Sequence, residues 1–125
     1  MIYFQCDYEE GCHPAILKRL NETNLEQTVG YSMDPYCASA REKIKKAIAR
    51  SDADVHFLVG GTQTNMTVIA AALKPWQGAI CADTGHIACH ETGAVEATGH
   101  KVLALSSEDG KITAAQIEET VKKHY

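Results

Sequence analysis

Apolar positions in this chain recur at helical spacing near its start and gather into short runs past its middle. Pro14 suits a first helical turn, and Ile16, Leu17 and Leu20 form one apolar stripe behind it. Residues 21–34 read as an irregular polar connection that contains Gly30 and ends at Pro35. A second helix is predicted over about residues 36–50, with Cys37, Ala40, Ile44, Ala47 and Ile48 on one face. Then the period changes. Residues 55–59 form a short apolar run closed by Gly60 and Gly61, which predicts a strand. Residues 66–73 are apolar nearly all round, as in a buried helix, and residues 79–82 and 102–105 read as two more strands. Thr113, with Gln116 three places on, predicts a capping box opening a last helix whose Ile117 and Val121 face inward.

Strands separated by helical segments imply βαβ units, an α/β class and a mainly parallel sheet with helices against its faces. The pattern divides the chain into a helical arm and connection over residues 1–50 and the start of an α/β domain over residues 51–125. A sheet of about three parallel strands is thin for covering on both faces, and no strand follows the last helix. The expectation is therefore the front part of a larger domain; a small complete α/β domain is the alternative.

Composition narrows the class. The 125 residues are 45% hydrophobic and 22% charged, a globular balance, and a chain of this length buries roughly two-thirds of its unfolded surface. A net charge of −4 offers no basic stripe for phosphates, which argues against nucleic acid as a partner. Cys6, Cys12, Cys37, Cys81 and Cys89 are odd in number and contain no CxxC pair, so neither a zinc knuckle nor a disulfide framework is indicated. The opening MIYFQCDYEE lacks a basic n-region, and no run approaches the ~18 apolar residues of a membrane span. A reduced, cytoplasmic setting without a membrane is expected.

Three segments carry candidate chemistry. In VHFLVGGTQTN a predicted strand runs into two glycines, Thr62 and a helix start. Amides at a helix start point into open space at the positive end of the helix dipole, so an anion binds there readily. Gly60 and Gly61 allow close approach, and Thr62 adds a hydroxyl donor. Neither a P-loop nor a GxGxxG is present, which sets aside nucleoside triphosphate hydrolysis and dinucleotide binding. A plain strand-to-helix turn is the simpler explanation of the same residues. In ICADTGHIACHETGAVEATGHK, three histidines and two glutamates follow a strand end, the side on which ligands sit in open α/β sheets. His86 leaves the strand where an imidazole face can stack on a flat ring. His86, His90 and Glu91 also raise a zinc site, but no HExxH is present, and nothing marks Cys89 as an activated nucleophile. In EQTVGYSMDPYC, Tyr31 and Asp34 lie in a loop punctuated by glycine and proline.

The ordered set CDYEEGCHPAIL, GYSMDPYC, FLVGGTQTN and ADTGHIACHETGA resembles the N-terminal third of the low-specificity threonine aldolase and β-eliminating lyase family. The resemblance runs from Phe4 to the helix after Thr113. It implies a type I PLP-transferase fold, with only the N-terminal part of the large domain in this chain. It implies that Gly60, Gly61 and Thr62 hold the phosphate of pyridoxal 5'-phosphate (PLP), and that His86 stacks on the pyridine ring and assists proton transfer, with Glu91 near the reacting end of the substrate. It implies substrate-binding roles for Asp7, Tyr31 and Asp34, the latter two on a loop that reaches a neighbouring subunit. A small amino acid substrate, no metal, and a homodimer or homotetramer go with it.

Two departures qualify this. Cys6 stands where many members carry a serine that touches the substrate carboxylate. The family's cofactor-anchoring lysine and the aspartate under the pyridine nitrogen match no residue here, since Lys74, Lys101, Lys122 and Lys123 lie in other contexts. The complete enzyme is expected to cleave β-hydroxy amino acids such as threonine to glycine and an aldehyde, and residues 1–125 alone are expected not to turn over. Another β-eliminating lyase, an aminotransferase, or a non-catalytic phosphate-binding domain are the alternatives.

Overall fold

The computed structural model describes residues 11–124. The chain separates into two compact units, with the break between Phe57 and Leu58.

Among the described residues the first unit holds two helices. α1 (Pro14–Thr23) starts on a proline, and the His13 ring accepts from the Ala15 amide. It runs three residues into the stretch that the sequence pattern assigns to the connection, because Asn21, Glu22 and Thr23 add no helix-breaking group before Asn24. Its apolar stripe is not covered among the described residues: Ile16, Leu17 and Leu20 are all exposed. α2 (Pro35–Ala47) again starts on a proline, and the Asp34 carboxylate caps it by accepting from the Cys37 amide at 2.8 Å. Ahead of that cap, Tyr31 and Ser32 both occupy the left-handed region (φ 59° and 60°), and Arg41 donates to the Ser32 carbonyl at 3.0 Å. The Tyr36 hydroxyl donates to Glu26, and the Arg19 guanidinium lies 5.7 Å from the Tyr36 ring centre.

The second unit carries the sheet. β1 (Gly78–Ala82) pairs in parallel with β2 (Lys101–Leu105), with Gly78 opposite Lys101 and Ala82 opposite Leu105. The sheet has two strands among the described residues, not the three predicted. Residues 55–59 form no strand: strand geometry depends on a partner ladder, and the Val59 amide instead donates locally to the Gln63 side chain at 2.9 Å. α3 (Gly61–Ala72) precedes β1 and begins five residues earlier than the apolar run suggests. It is not buried either. None of its residues is fully enclosed, and Val68 is 56% exposed, so its apolar surface is uncovered among the described residues.

The crossover between the strands holds α4 (His86–Cys89) and a 3₁₀ turn at Glu96–Thr98. α5 (Ala114–Lys123) closes the unit with the predicted capping box, in which the Thr113 hydroxyl accepts from the Gln116 amide while the Gln116 side chain accepts from the Thr113 amide. The few buried side chains among the described residues gather around the crossover: Ala82, Glu91, Val95 and His100. No helix is long and apolar enough to cross a membrane among the described residues.

Candidate functional site

At the end of β1 the chain must turn back at once, since the Gly85 amide donates to the Ala82 carbonyl at 2.8 Å. A side chain at position 85 would place its Cβ 2.9 Å from that carbonyl and 3.2 Å from the Cys81 Cβ, so only glycine fits. The turn delivers His86 as the first residue of α4, at the carboxyl end of a parallel strand. The His86 side chain is 62% exposed, whereas that of Glu91 is fully enclosed. The two are joined: His86 Nδ1 lies 2.9 Å from Glu91 Oε1. The imidazole thus points outward on a carboxylate set beneath it.

The same oxygen takes a second donor. Asn65 of α3, 26 positions earlier, donates its side-chain amide to Glu91 Oε1 at 2.6 Å. The Asn65 hydrogen bond holds the Glu91 carboxyl below its ordinary value, burial acts in the opposite sense, and the His86 contact lowers it again. Glu91 is therefore ionised at neutral pH, and an ionised carboxylate only accepts. The His86 nitrogen facing it must carry the proton, which leaves Nε2 as the outward ring nitrogen. Glu91 Oε2 is buried without a hydrogen-bond partner among the described residues. The residue after Glu91, Thr92, sits at φ 49°, a conformation that costs a β-branched residue about 1 kcal/mol or more and that turns the chain sharply as the carboxylate is directed inward. His90 lies beside His86, with ring centres 5.4 Å apart and planes tilted by 50°. No three histidine, cysteine or acidic side chains come together to hold a metal among the described residues.

Gly60 and Gly61 open α3 as its N-cap and first residue, with no side chain capping the helix. Neither glycine has a positive φ, and a Cβ at either position would meet nothing within 4 Å. Thr62 is exposed on the same first turn. Among the candidate residues, Gly60, Gly61, Thr62, His86 and Glu91 all belong to the second unit. Asn65 is the residue that sequence reasoning left without a role. It stands in the same glycine-led segment, four places after Gly61 and so on the same helix face, but a bond across 26 positions has no local signature.

The other candidates lie in the first unit. Asp34 is engaged as the cap of α2, where hydrogen bonds from the Cys37 side chain and amide lower its carboxyl pKa. Tyr31 is fully exposed. Asp7, like Cys6, lies outside the described residues.

Known proteins resemble this chain in sequence and fold. The structure of the threonine aldolase of Leishmania major matches with a TM-score of 0.90 and 46% identity, over 93% of this chain and 34% of that one. The low specificity L-threonine aldolases of a Pseudomonas strain and of Pseudomonas aeruginosa are each 30% identical over 122 residues, which is 96% of this chain and 35% of theirs. The chain spans about a third of the length of the relatives it matches. Its α/β fold is that of the aldolase structure over the shared part. The family model for beta-eliminating lyases matches residues 8–125, a span that takes in both helices of the first unit and the whole of the second, and the chain accordingly belongs to the beta-eliminating lyase family.

Proposed function

We propose that this protein is a PLP-dependent lyase that cleaves β-hydroxy amino acids, threonine among them, to glycine and an aldehyde. The observation that supports this most directly is the outward imidazole of His86 held at Nδ1 by the buried Glu91 carboxylate. A site for the cofactor is consistent with the residues present. The first turn of α3 offers uncapped amides at the positive end of a 12-residue helix, and the glycines leave open the volume that side chains would fill. Gly60, Gly61 and Thr62 would hold the phosphate, and His86 would lie against the pyridine ring. PLP, when bound, supplies an electron sink for the bond broken at the substrate Cα.

The chain's own part in the reaction is proton handling. With Nδ1–H given to Glu91, the neutral ring presents its Nε2 lone pair outward, where it accepts the proton of the substrate β-hydroxyl. Glu91 stays ionised and keeps the ring from turning over. Binding roles for Asp7, Tyr31 and Asp34 toward the amino acid, a homodimeric or homotetrameric assembly and a cytoplasmic location belong to the same proposal.

The test is His86→Asn in the full-length native protein, with acetaldehyde release from threonine as the readout. Turnover should fall about a hundredfold or more, the range carried by general acid–base catalysis. Undiminished turnover would remove His86 from the reaction.

A further inference from the structure

We infer that Asn65 is a positioning residue whose side-chain amide, through Glu91 Oε1, sets the tautomer and orientation of His86. The inference rests on the proton-transfer role proposed for His86 and extends it to a residue of α3.

Both hydrogen bonds that reach the Glu91 carboxylate converge on one oxygen. Asn65 donates at 2.6 Å and His86 at 2.9 Å, while Oε2 has no partner among the described residues. A fully enclosed carboxylate with a single remaining donor is poorly stabilised as an anion, and removal of Asn65 leaves His86 as the one donor to Oε1 among the described residues. Without Asn65 the carboxylate also loses the contact that fixes Oε1 toward Nδ1, so even the ionised Glu91 no longer holds the His86 proton on that nitrogen as firmly. The orientation of the Asn65 amide follows from the same logic, because an anionic acceptor selects the NH₂ end.

The location strengthens the case. Asn65 is four residues past Gly61, on the same face of α3, one turn below the uncapped amides. One helix therefore carries both the anion-receptive turn and the amide that fixes the imidazole.

The tautomer is read directly by ¹⁵N NMR of the histidine ring nitrogens, at alkaline pH where the imidazole is neutral. In the unaltered protein His86 should be mainly Nδ1–H. In Asn65→Leu and Asn65→Asp, the ratio of Nδ1–H to Nε2–H should fall about tenfold, the scale of one lost hydrogen bond to a charged group. A merely structural Asn65 would lower stability and leave that ratio alone. In the full-length protein Asn65→Leu should lower kcat about tenfold with little change in KM.

A His86 that is mainly Nε2–H in the unaltered protein overturns the inference, as does a folded variant that keeps the Nδ1–H ratio. If neither variant folds, the unaltered protein still decides. The Asn65 side-chain amide signals must move with the acid titration of the Glu91 carboxyl carbon, and an amide that stays still through it overturns the inference. The two proposals fail separately: a ratio that shifts as stated alongside a fully active His86→Asn leaves the positioning role and removes the catalytic one, while the converse result does the opposite.

Discussion

The two units of this chain are ordered by different means. Up to Phe57 the described residues include no buried side chain; the helices are fixed by prolines, by the Asp34 cap and by surface contacts such as Arg19 over Tyr36. From Leu58 onward a parallel strand pair and a crossover enclose four side chains, and two of them, Glu91 and His100, are polar. His100 faces the Gln77 carbonyl at 3.2 Å, and Glu91 receives Asn65 and His86. Burial here serves a hydrogen-bonded constellation more than an apolar core. One of the four enclosed groups, Glu91, is the carboxylate that holds the exposed His86.

Changes that open the enclosed set should therefore hurt most. Val95 is the one fully buried large side chain among the described residues, and Val95→Ala should cost about 2 kcal/mol in a denaturant titration. The same truncation at exposed Leu20 should cost much less.

Acid sharpens the contrast. Because the folded-state pKa of Glu91 lies below its ordinary value of 4.5, its contribution is fully present above that value and is lost as the pH falls through the lowered one. The melting temperature should drop as the pH is taken below 4.5, and Glu91→Gln should show a shallower drop. Equal slopes for the two proteins would mean that the carboxylate is not held as described. Asp34, Asp52, Asp109 and Glu119 shift in the same direction, so the difference between the two proteins isolates Glu91.

Local capping ranks next. Thr113→Ala removes one half of the capping box and should lower stability by about 1 kcal/mol, with the loss visible in the circular dichroism of α5 helicity. The smallest effect belongs to the uncovered stripe of α1. Leu20→Gln should stay within about 0.5 kcal/mol in this chain, since the side chain is 56% exposed. A larger loss would show that the stripe is covered in solution and would erase the distinction between the two units.

Much of this was legible in the residues themselves. Pro14, Pro35 and the Thr113–Gln116 pair act within one helical turn, and the elements they open stand where their spacing predicts. The strands over Gly78–Ala82 and Lys101–Leu105 were visible as short apolar runs bounded by turn residues. Gly60, Gly61 and Thr62 were recognisable as a helix start, and His86 as the exit from a strand, because both are features of chain direction. The strand expected over residues 55–59 and the burial expected for residues 66–73 were not found, since pairing and covering depend on which surface arrives opposite.

Tertiary structure alone decided what the site residues do to one another. Nothing in the order of residues says that Asn65 reaches Glu91, that Glu91 is enclosed while His86 five places earlier is exposed, or that both donors choose the same oxygen. Sequence acts at the range of a turn, through caps, prolines and periodicity. A hydrogen bond across 26 positions exists only after α3 and the crossover have been brought together, and the proton on His86 is fixed by that encounter.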